Sequence, residues 1–204
     1  MPLVVNKPKI AGTNAEGWVT DYARETYWPT ARRLPPAGKY DIGDIELHPK
    51  LMVEVKAATR ALHIGPWMRE TDVQQYRKQA DYGLLVIKTK GYGQRNAGRF
   101  LTVMRAGLAY KLLYDTDTIA ATQHVLRPGH KLDPLHQLAV LEDEQNKVGN
   151  MYNMVTFRVR AEEDPDRFYS FMRLGPRLDL LNLAGYGTYL KGEIDEGENT
   201  SDHL

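Results

Sequence analysis

Three side chains, Asp44, Glu54 and Lys56, have the types and spacing to hold a divalent cation and act on a phosphate ester. Two carboxylates at the ends of adjacent strands can converge on one hard cation, which prefers oxygen ligands. A lysine beside them can orient the attacking water or help deprotonate it. The cation lowers the pKa of that water and stabilises charge building on the phosphate. Asp41, three residues before Asp44, competes for the first carboxylate role, and strand alternation does not decide between the two.

These side chains need a strand pair to position them. Residues 44–47 and 51–57 are short extended runs joined by His48-Pro49-Lys50, the spacing of a hairpin with a short loop. In the second run Leu51, Val53 and Val55 point to one face and Met52, Glu54 and Lys56 to the other, because side chains alternate in a strand. Glu54 and Lys56 therefore share a face. That face lies on a strand otherwise rich in Leu, Met and Val, where unpaired charges are costly without a metal or partner.

Upstream, residues 1–12 read as a basic arm, and Thr13-x-x-Glu16 matches a capping box, which predicts a helix over about 13–26. Glu16 is on this spacing a capping carboxylate. A short strand is expected within 30–34 and a helix over about 67–80. Strands are expected at 84–87 and 99–104, and a helix over 108–114. The whole is a mixed α/β core spanning 13–114.

The rest of the chain contains an internal echo. Arg99, Phe100, Met104, Arg105, Gly107, Leu112 and Leu113 recur 68 positions later as Arg167, Phe168, Met172, Arg173, Gly175, Leu180 and Leu181. A second strand-strand-helix unit over 151–191, echoing 84–114, is therefore expected to pack on the core or on a partner chain. Residues 115–150 read as a connecting region with one helix from 134 to 147. The acidic stretch 192–204 reads as a disordered tail.

A net charge of +1 conceals a division. Residues 1–110 carry 17 Lys and Arg against 10 Asp and Glu, a net of +7, whereas 111–204 carry 10 against 16, a net of −6. A basic half suits a phosphate-binding surface. The candidates for phosphate contact are Lys7 and Lys9 on the arm, Arg32, Arg33 and Lys39 ahead of the site, and Lys88, Lys90 and Arg95 around Gly91-Tyr92-Gly93.

Several classes are excluded. Cysteine is absent, so there are no disulfides, thiolate metal sites or Cys nucleophile. No apolar run reaches membrane length, and Met1 to Lys7 is too interrupted for a secretory signal, which points to a cytoplasmic protein. No phosphate-binding Gly-x-x-x-x-Gly-Lys-Ser/Thr loop, and hence no nucleotide cofactor, is indicated. His48 and His63 lack the His-x-x-His spacing of a zinc centre.

From about Lys9 to Leu113 the chain resembles the PD-(D/E)xK nucleases, most closely the archaeal-type Holliday junction resolvases and resolvase-like endonucleases of actinobacterial phages. The resemblance rests on Gly12-Thr13-x-x-Glu16, Gly43-Asp44-Ile45, Val53-Glu54-Val55-Lys56, Gly65-x-Trp67-x-x-Glu70, the 80–88 segment and Gly98-Arg99-Phe100. The family's Pro-Asp pair stands here as Gly43-Asp44, and the Gly-Asp-Ile pattern favours Asp44 over Asp41. The resemblance implies a restriction-endonuclease-like core, with Asp44 and Glu54 binding Mg²⁺ or, alternatively, Mn²⁺, completed by Glu16, and Lys56 serving the water. It also implies DNA as substrate, above all a four-way junction, and host cytoplasm as location if the chain is phage-encoded. Since two symmetric cuts need two sites, it implies a homodimer.

Overall fold

A computed structural model of the chain describes residues 7–57, 62–118, 120–125, 134–145, 152–158 and 168–187. In chain order the elements are α1 (Lys7–Thr26), β1 (Arg32–Arg33), β2 (Ile45–Glu46), β3 (Leu51–Ala57), α2 (Ile64–Lys78), β4 (Tyr82–Lys88), β5 (Leu101–Arg105) and α3 (Ala106–Asp115). There follow β6 (Ala121–Val125), α4 (Pro134–Gln145), β7 (Asn153–Arg158), β8 (Phe168–Arg173) and α5 (Leu174–Leu181). The strands form one open sheet in the order β1-β2-β3-β4-β5-β8-β7-β6. β3 with β4 and β6 with β7 run parallel, and the remaining pairs are antiparallel. The molecule is thus α/β, with a mixed, mostly antiparallel sheet flanked by helices.

The alternation read from β3 sorts the sheet into two apolar faces. Leu51, Val53 and Val55 join Leu84 and Val86 under Ala15, Val19 and Ala23 of α1, Leu112 of α3 and Leu178 of α5. On the opposite face Leu85, Ile87, Leu101, Val103, Val155 and Phe171 pack against Ile64 and Met68 of α2 and Leu138 and Leu141 of α4. Two apolar faces on one sheet require a helix layer on each side. The parallel pairs β3–β4 and β6–β7 are each joined by one of the crossover helices, α2 and α4.

Three expectations are corrected. α1 begins at Lys7, so Lys7 to Gly12 belong to a helix and not to an arm; Pro8 is tolerated there because a first-turn residue needs no intrahelical donor. Thr13 and Glu16 consequently lie inside the helix, and the capping-box reading falls. Residues 115–150 are more than a connection, since β6 and α4 extend the sheet and cover it. Residues 192–204 lie outside the described residues. Among the described residues, no helix is long and apolar enough to cross a membrane.

Candidate functional site

Asp44 is set by the turn before it. Gly43 has φ +112°, and a Cβ there would meet the Val53 carbonyl oxygen at 2.9 Å and the Met52 sulfur at 3.1 Å. Glycine alone fits such a conformation without strain. Its N–H donates to Asp41 Oδ1 at 3.1 Å, a bond that proline could not make. That bond separates the two candidate acids. Asp41 is spent on the turn, whereas the Asp44 N–H donates to the Val53 carbonyl at 2.9 Å and Asp44 Oδ2 accepts the Val55 N–H at 2.7 Å.

Glu54 and Lys56 lie on the α2 face of β3. The Lys56 ammonium forms ion pairs with Glu54 Oε1 and, at 2.8 Å, with Glu70 Oε2 of α2. Glu54 is only 3% exposed, and its second oxygen, Oε2, has no hydrogen-bond donor. Gln74, one helical turn beyond Glu70, is also buried, and its Oε1 likewise lacks a donor. A buried acceptor oxygen without a donor is expensive, costing about 1–3 kcal/mol.

The electrostatics point the same way. Burial and the neighbouring Glu54 carboxylate push the Asp44 carboxyl up to about 7, with a smaller contribution from Glu16, against the Val55 N–H and Lys56, which favour the ionised form. Glu54 is also raised, by burial and then by Glu70, while Lys56 and the Gln74 amide oppose the shift. Burial alone would lower Lys56, but the Glu54 and Glu70 carboxylates outweigh it and hold the ammonium above its ordinary value. Lys56 is therefore a fixed positive charge and hydrogen-bond donor.

Two coupled carboxylates, one with a donorless buried oxygen, make a hard, all-oxygen donor set. It fits Mg²⁺ or Mn²⁺, whose charge would relieve both the repulsion and the orphaned acceptor. Among the described residues, no three acidic or imidazole side chains are gathered as a metal site. Glu16, the expected third acid, is directed elsewhere. Its Oε2 accepts from Arg33 Nε at 3.0 Å and from the same guanidinium's Nη2. Its influence on Asp44 is one of charge.

Glu70 carried no assigned role in the sequence, although it closes the Gly65-x-Trp67-x-x-Glu70 pattern. The overlooked signal was the i, i+4, i+8 ridge of Glu70, Gln74 and Lys78 along α2. Lys78 extends this polar line; burial lowers its pKa, and its buried ammonium has no hydrogen-bond acceptor. His48 accepts the Lys50 N–H at 3.1 Å, and His63 packs edge-on against Trp67, so each serves its local turn.

The expected phosphate contacts divide. Lys88 follows Ile87, the register partner of Lys56, and its ammonium lies 5.4 Å from the centre of the Trp18 ring. Lys90 and Arg95 are exposed in the segment after β4, where Arg99 stacks over Tyr92 at 5.2 Å. Arg32 and Arg33 stand on β1, paired with Glu46 and Glu16. The side chains of Lys7, Lys9 and Lys39 lie outside the described residues. No family model, curated protein or solved structure matches the chain.

Proposed function

We propose that the chain is a divalent-metal-dependent endonuclease acting on DNA, with a restriction-endonuclease-like core and branched DNA, such as a four-way junction, as its substrate. The observation that carries this reading is the part-buried Asp44–Glu54–Lys56 group, in which Glu54 Oε2 has no donor and burial and neighbouring carboxylates raise both acids. Asp44 and Glu54 would hold the cation. The metal supplies a water of lowered pKa and neutralises charge on the phosphate.

The protein's own groups do the remainder. The Val55 N–H holds Asp44 in its orientation. Lys56, kept charged by Glu54 and Glu70, offers donors to the water or to a phosphate oxygen and stabilises the negative charge that builds there. Lys88, the last residue of β4, and Lys90 and Arg95 beyond it provide cations for the flanking backbone phosphates.

The test is cleavage of a synthetic four-way junction, a matched linear duplex and a single strand, with Mg²⁺ or EDTA, by the native chain and by Glu54→Ala. The expected result is metal-dependent nicking at the junction, abolished by the substitution. Equal cleavage of linear duplex would retain the nuclease and remove the preference for branched DNA. Binding without cleavage in either metal would remove the nuclease.

A further inference from the structure

The echo seen over fifteen positions extends in three dimensions to five successive elements. β3-α2-β4-β5-α3 is followed by β6-α4-β7-β8-α5, with the same order, the same parallel first pair and the same crossover helix. The two sets meet at β5 and β8. Their register pairs Leu101 with Arg173, Thr102 with Met172, Val103 with Phe171, Met104 with Ser170 and Arg105 with Tyr169. Phe171 lies 68 positions after Val103, so the pairing is that of two equivalent strands about a local two-fold axis through this pair. One ion pair is also repeated. Arg105 at the end of β5 clasps Asp72 of α2, and Arg173 at the end of β8 clasps Glu142 of α4, its Nε 2.8 Å from Oε1.

These equivalences locate where a second site would stand. Across β4 and β5, Glu54 aligns with Leu85 and then Val103; across β7 and β8, Gln123 aligns with Val155 and then Phe171. Gln123 therefore occupies the register position of Glu54, and Val125 that of Lys56. On the crossover helix, the shift that matches Asp72 to Glu142 places Val140 at the position of Glu70 and Glu144 at that of Gln74. Asp44 has no counterpart, because only residues 116–120 separate α3 from β6, which leaves no room for the β1–β2 hairpin that carries it. At these equivalent positions the second copy has one acid, Glu144, and no lysine.

We infer that the polypeptide carries a dimer-like two-fold within one chain, with one working site and one site-less copy, so that a single chain cuts one DNA strand per binding event. The inference rests on the nuclease reading. The edge of β5, where a second copy's β5 could pair about a two-fold, is already filled by β8. The internal partner takes the structural place of a second subunit without contributing its chemistry. The homodimer expected from paired cutting is thereby replaced by a monomer that nicks.

The experiment uses the full chain on a supercoiled plasmid bearing an extruded cruciform, with Mg²⁺ and separately with Mn²⁺. Two cuts within the life of one complex yield linear plasmid directly. One cut yields nicked circle and, by releasing the supercoiling, removes the junction. The expected result is nicked circle as first product, at a rate proportional to the native fraction when Glu54→Gln chains are mixed in. Light scattering should find one 23.2 kDa chain on each synthetic junction. Linear plasmid as first product, a rate falling with the square of the native fraction, or two chains per junction would overturn the inference while leaving the nuclease reading intact. Absence of both products in both metals would overturn the nuclease reading and this inference with it.

Discussion

Replacing Asp44 by asparagine should make the metal-free protein more stable while abolishing its response to metal. The Asp44 carboxyl is held at about 7 in the folded chain against an ordinary 3.8. At about 1.4 kcal/mol per pH unit, its full ionisation costs the fold on the order of 4 kcal/mol. The sign follows from proton binding. Between pH 4 and 7 the folded state holds more protons than the unfolded one, so stability declines as pH rises through that window and levels off above it. Asparagine keeps the acceptor for the Val55 N–H but introduces an NH₂ that the partly buried site must satisfy, at about 1–2 kcal/mol. The net gain at pH 8 in EDTA is about 2–3 kcal/mol, or roughly 4–12 °C in Tm for a chain of this size. Thermal unfolding followed by circular dichroism at pH 4 and pH 8, in EDTA and in Mg²⁺, checks this. The gain should vanish at pH 4, and Mg²⁺ should raise the Tm of the native chain alone. An unchanged Tm at pH 8, or equal stabilisation of both proteins by Mg²⁺, would refute the reasoning.

Lys56→Met should lower kcat by about 100-fold with the fold retained, since it removes a fixed positive charge from the phosphate site; single-turnover cleavage measures it. Gly43→Ala should destabilise the protein by about 2–3 kcal/mol in urea unfolding, because the added Cβ meets both a positive φ and the Val53 carbonyl. Arg177 is wholly buried on α5, donates to Ser170 Oγ at 2.7 Å, and has its pKa lowered to about 10 by burial; among the described residues no carboxylate pairs with it. Arg177→Met should therefore leave stability unchanged or raise it by up to about 2 kcal/mol, as read by urea midpoint.

Much of the site could be read along the chain because its signals are local. The alternation of Leu51 to Ala57 puts Glu54 and Lys56 on one face before any partner strand is known, and the structure returns β3 with those bounds. The turn Gly43-Asp44 is equally local, as its conformation depends on a glycine and on Asp41 two residues away. The echo of Arg99 to Leu113 was visible because identity at a constant offset needs no knowledge of folding.

What tertiary structure alone decided involves residues distant in sequence. Glu70 reaches Lys56 only because the α2 crossover lies over β3, and Glu16 is drawn to Arg33 only because α1 and β1 pack together. The extent of the duplication was hidden because β6 and α4 share no string of identities with β3 and α2. Their likeness lies in strand register and in the Arg105–Asp72 and Arg173–Glu142 pairs. Periodicity reports which face of an element is apolar. Which elements meet is set by burial and backbone pairing across the whole chain, and so the second, site-less half came into view only with the sheet complete.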